Sequence, residues 1–277
     1  MTLLARNNCF KGGIFLATLS LALVITGGYL AFPAFPDAAA SAAARSRGII
    51  QRITEEIAGS SPYIPYWTML GAAAYAFISI ILIYLFFEKT QSPEILFIGF
   101  FVISMTFELA RLVVPLKSVL PLPATYLSAA SRILLFGRYF GLFSLFAASV
   151  YAAGLNAQKQ QNIIFMVVLA SMIIPINVPI DSLVWDSTLM LRRGYGTLLL
   201  LVELAIMAIT ILTFIISAYT RGSRRYIFIG IGILLIFAGK NILLYSNTWI
   251  TLVPGLIILA AGTWLVCSLL HLEYLWH

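Results

Sequence analysis

Six ionisable side chains stand inside apolar stretches long enough to cross a bilayer: Glu108, Arg111, Arg132, Arg138, Glu203 and Lys240. Near the centre of a spanning helix, an Arg, Lys or Asp costs on the order of 2.5–3.5 kcal/mol even on lenient insertion scales. Such residues face a partner or a water-filled cavity, so these six are the candidate ligand-binding residues. Ser104, Glu108 and Arg111 follow i, i+4, i+7 and form one polar line on a helix. Ser128, Arg132 and Tyr139 form a comparable line, Glu203 shares a face with Thr210, and Lys240 is followed by Asn241 and Tyr245. A rise of about 1.5 Å per residue puts Glu108, Arg111, Arg132, Glu203 and Lys240 in one half of the bilayer and Arg138 near its midplane. Asp181 falls at the mouth on that same side. Two carboxylates cannot neutralise four cations, so the surplus is positive. A guanidinium offers a planar fork that suits carboxylate or phosphate. The chemistry expected of such a group is binding of a small anion or a lipid headgroup. Ion pairs that only join helices, and movement of protons or ions, are the alternatives.

The elements that must position these residues are membrane spans of about 20 apolar residues each. Eight are predicted: Gly13–Phe32, Trp67–Phe87, Ile95–Pro115, Tyr126–Leu155, Ile163–Ile180, Thr197–Tyr219, Tyr226–Tyr245 and Ile250–Leu270. The fold class is therefore an all-α polytopic bundle. Its expected divisions are an N-terminal signal-anchor helix (1–36), an extracytoplasmic amphipathic segment (37–66) and a seven-helix bundle (67–277). Arg6 and Lys11 before the first apolar run, and Ala38-Ala39-Ala40 after it, also fit a cleavable signal peptide. The apolar run is longer than a usual signal core, which favours an uncleaved anchor. Asp37 is expected to cap a helix in the second segment. Ile49, Ile50, Ile53 and Ile57 would give that helix an apolar stripe. Pro175 and Pro179 should kink or end the fifth span. Arg6, Lys11 and the cluster Arg221, Arg224, Arg225 place the N- and C-termini on the cytoplasmic side of a plasma (inner) membrane.

Composition bounds the function. Apolar residues make up 61% of the 277 residues and charged residues 10%, against roughly 45–50% and 25% in soluble domains. Mean hydropathy is +1.00. The net charge of +7 comes from scattered basic residues rather than a stripe, so no nucleic-acid partner is expected. Cys9 and Cys267 lie near opposite ends, and the two histidines, His271 and His277, lie close to the C-terminus. No metal site is expected from that set, no cofactor is implied, and no phosphate loop, nucleophile elbow or His-Glu-x-x-His motif is present. Catalytic residues are therefore not assigned, and whether the protein is an enzyme is left open, with a non-enzymatic role favoured.

An N-terminal anchor, the segment Asp37–Tyr66, and seven spans from Trp67 to Leu270 resemble bacterial seven-helix sensory membrane modules. The resemblance is architectural. It implies ligand sensing on the outer side, helix rearrangement, and signalling through a membrane or cytoplasmic partner. A transporter or transporter subunit is the first alternative, and a lipid-modifying enzyme using Glu108 or Glu203 is the second. Within the expected site, Glu203 should be coupled to Lys240 first and to Arg132 next.

Overall fold

A computed structural model describes residues 3–42, 59, 61–87 and 92–275. The expected amphipathic stripe from Ile49 to Ile57 lies outside the described residues, as does His277. Helices dominate, and eight are long and apolar enough to cross a membrane. In chain order they begin with α1 (Leu3–Ala31), which runs through a 3-10 turn (Phe32–Ala34) into α2 (Phe35–Ala40). Then follow α3 (Ile64–Phe87) and a broken third span made of α4 (Pro93–Ser104), a 3-10 segment (Met105–Leu112) and α5 (Val113–Val119). The rest are α6 (Ala124–Ala152), α7 (Gln160–Asn177), the strands β1 (Ile180–Trp185) and β2 (Leu191–Arg193), α8 (Gly196–Arg221), α9 (Arg225–Leu244) and α10 (Trp249–Leu275).

Several expectations need correction. The all-α class holds, but the exit of the fifth span carries one short antiparallel hairpin, in which β1 and β2 place Ile180 opposite Arg193, Asp181 opposite Arg192 and Trp185 opposite Leu191. The alternating β-branched and polar residues after Pro179 cannot continue a helix whose last turn already contains Pro175. The helix stops at Asn177, and the released backbone pairs with itself. Asp186 shapes the turn, its Oδ1 accepting from Thr188 N, Thr188 Oγ1 and Met190 N. Asp37 is not an N-cap. Pro33 and Pro36 occupy first-turn positions, where a missing N–H costs nothing. Helical structure therefore continues past the expected exit, and Asp37 lies in the first turn of α2. There its charge complements the helix dipole.

The bundle is organised around α6, which packs against α4, the 3-10 segment, α7 and α8. The tightest pair is α9 with α10. It is closed by glycines on both helices. A methyl at Gly255 would lie 2.8 Å from Leu243 N, and one at Gly262 would lie 2.8 Å from Ile236 N. Without side chains at these points the backbones touch, a packing mode common between spans. By contrast α7 and α8 bury few of their residues and form the periphery.

Candidate functional site

The site begins with a local departure from α geometry. Met105–Leu112 is an eight-residue 3-10 segment inside the third span, whereas 3-10 runs beyond about four residues are uncommon. With about three residues per turn, side chains at i and i+3 eclipse. Glu108 and Arg111 are thus stacked, with Arg111 Nε 2.9 Å from Glu108 Oε2. That contact is an ion pair by distance only, for Nε makes no hydrogen bond. The segment comes close to α6 because α6 is notched there. A Cβ at Gly137 would collide with Phe107, and one at Gly141 with Ser104. The notch seats Arg138 against the carboxylate. Arg138 Nε donates to Glu108 Oε1 at 2.8 Å, and Nη2 donates to Oε2 at 3.1 Å. This is the bidentate fork that makes Arg–carboxylate pairs strong and directional. Arg138 Nη1 donates to Tyr245 Oη at 3.5 Å, and its guanidinium lies 5.6 Å from the centre of that ring.

Arg111 extends the group to the hairpin. Its Nη1 donates to the carbonyls of Thr188 at 3.3 Å and Leu244 at 3.4 Å. The side chain is 1% exposed. One residue therefore joins the 3-10 segment, the hairpin turn and the end of α9. Asp186 lies within electrostatic reach of Arg111. Counting it, this knot holds two guanidiniums and two carboxylates. The knot itself carries no positive surplus, because among the described residues Arg132 and Lys240 make no ion pair in it and Asp186, from a segment with no helical phase, joins Glu108. A cavity of about 10 Å³ lies beside Arg111, lined by Ser131, Leu134 and Leu189 among others. That is room for about one water.

The other expected residues divide. Lys240 is buried on α9 and faces Glu203, Arg138 and Glu108 electrostatically without an ion pair among the described residues. Glu203 is half-buried on α8, near Tyr139 and Lys240. Arg132 is exposed. It stands six positions from Arg138, which turns it about 120° around α6 at 3.6 residues per turn. About two turns into the helix, its long stem can carry the charge toward the interface. It does not join the group, so the expected polar line of Ser128, Arg132 and Tyr139 is not a shared interior face. Arg138, expected to stand apart at the midplane, is instead the principal partner of Glu108. Asp186, Thr188 and Arg193 were outside the expected set. The Gly137-x-x-x-Gly141 spacing around Arg138 was the available signal for close approach at that helix.

Comparison with known proteins returns no match to any protein-family model, curated protein or solved structure.

Proposed function

We propose that this chain is a multi-pass plasma-membrane protein that senses a small anionic ligand or lipid headgroup at its hairpin end. It passes the signal to a membrane or cytoplasmic partner by rearranging its helices. The observation that carries this reading is Arg111, which ties the hairpin turn and the end of α9 to Glu108 on the 3-10 segment. A ligand that shifts the hairpin must shift this buried latch. The 3-10 segment gives the latch two arrangements. It rises about 2.0 Å per residue, against about 1.5 Å in an α-helix. Conversion of its eight residues would shorten the span by roughly 4 Å and end the stacking of Glu108 on Arg111. A mid-span break of this kind also favours a second reading, a transporter with a discontinuous helix.

The test uses spin labels at Gln158→Cys and Arg224→Cys, both exposed at the end of the bundle opposite the hairpin, with Cys9 and Cys267 replaced. In phosphatidylcholine nanodiscs, addition of inorganic phosphate or inclusion of phosphatidic acid is expected to change the inter-label distance. Arg111→Met should abolish the change. An unaltered distance under both conditions rejects sensing, and phosphate uptake into sealed vesicles would establish transport instead. Orientation has its own test. Reporter fusions at Ser60 should read as outside the cytoplasm and those after His277 as inside, and cytoplasmic signal at both would refute the eight-span arrangement.

A further inference from the structure

Beside the Glu108 knot, whose Glu108 and Arg138 are also within electrostatic reach of Lys240, four polar side chains gather from β2, α6, α8 and α9. Their placement follows from packing. Tyr139, Leu199, Phe237 and Ile180 belong to one apolar cluster. Arg193 is the register partner of Ile180. Glu203 stands one turn beyond Leu199, and Lys240 stands three positions beyond Phe237, each on the same helix face as its neighbour. Tyr139 is within electrostatic reach of both Glu203 and Arg193, and Lys240 within reach of Glu203. Donors are in excess. Tyr139 is 1% exposed, and its Oη is buried beside the Glu203 carboxylate without a well-formed hydrogen bond. Arg193 Nη1 is likewise buried without a partner. Lys240 is buried and makes no ion pair among the described residues. Arg193 and Lys240 against Glu203 leave one positive charge over, so the surplus missing from the knot is found here.

We infer that Arg193, Tyr139 and Lys240 form a binding site for a phosphate-type oxyanion, and that Glu203 is the resident carboxylate this anion displaces. The guanidinium fork, the compact ammonium and the phenol hydroxyl are complementary donors for such a group. Glu203 is half-buried on the peripheral helix α8, so it can yield its place without disturbing the core. A lipid headgroup and free phosphate share this chemistry. The site deepens the sensing reading above, and it rests on that reading for the consequence of binding, since displacing Glu203 removes the electrostatic interaction of α8 with Lys240 on α9.

The test titrates the full chain in phosphatidylcholine nanodiscs by calorimetry with inorganic phosphate, and by native mass spectrometry with phosphatidic acid in the disc. The wild type should bind one of the two probes, and which one identifies the source. Arg193→Gln and Lys240→Met should each weaken binding about tenfold or more, the loss of one charge-assisted contact. Arg193→Lys should restore part of the affinity. Tyr139→Phe should weaken binding a few-fold while keeping the elution profile, which guards against loss of fold. Glu203→Gln should tighten binding about tenfold, because a competing charge is gone. The inference is overturned if the wild type binds neither probe, if Arg193→Gln leaves binding unchanged, or if Glu203→Gln weakens it. Binding through these residues without a change in the Gln158–Arg224 distance would keep the site and reject sensing. A distance change insensitive to Arg193→Gln would do the reverse.

Discussion

Glu108→Gln should be the most damaging single substitution in the chain. The carboxylate receives both nitrogens of the Arg138 fork and the ion contact of Arg111, and all three side chains are buried. An amide of the same shape leaves two guanidiniums in a low-dielectric interior, with only Asp186 within electrostatic reach of Arg111 and Glu203 within reach of Arg138 as carboxylates. Removing one partner of a buried pair costs roughly 3–5 kcal/mol. The expected result is a large fall in the thermal midpoint of the detergent-solubilised protein. Arg138→Met in the same chain should recover part of that loss, since it removes one of the stranded charges. A double mutant whose loss equals the sum of the two singles would show that the pair is not coupled. Arg132→Met is the matched control. It removes an exposed cation outside the knot and should leave stability within about 0.5 kcal/mol.

The second large effect is steric. A Cβ at Gly239 would overlap the backbone nitrogen of Leu259 on the facing helix. Backbone cannot rotate away as a side-chain tip can, so Gly239→Ala must push α9 and α10 apart along their whole contact. Overpacking of this kind costs about 1–3 kcal/mol. The displacement also reaches the site, because Lys240 is the next residue and the Leu244 carbonyl held by Arg111 lies one turn further on. Gly12→Ala meets nothing within 4 Å and should be neutral. Thermal unfolding of the two variants side by side measures the difference. Equal midpoints would show that the α9–α10 contact is looser than its glycines indicate.

Hydropathy by itself determined the number of spans. Each is a local run of apolar residues, and cost in lipid depends on composition over about 20 positions. Helical phase likewise put Glu108 and Arg111 on one line, because spacing within a single helix is a local property. The choice of partner was not local. Depth along the apolar run favours Arg132 over Arg138 as a partner of Glu108, and the rotation of α6 reverses that choice. That rotation is set by the notch at Gly137 and Gly141, where Phe107 and Ser104 enter. The 3-10 segment was also hidden, since its residues carry no Pro or Gly to break an α pattern. Asp186 and Arg193 were assigned to a connection without periodicity, and the hairpin brings them back against the bundle through the pairing of Ile180 with Arg193. Hydrophobic periodicity records which face of a helix turns inward. Which charges then meet across helices depends on crossing points and rotations, and those are decided only when the surfaces pack.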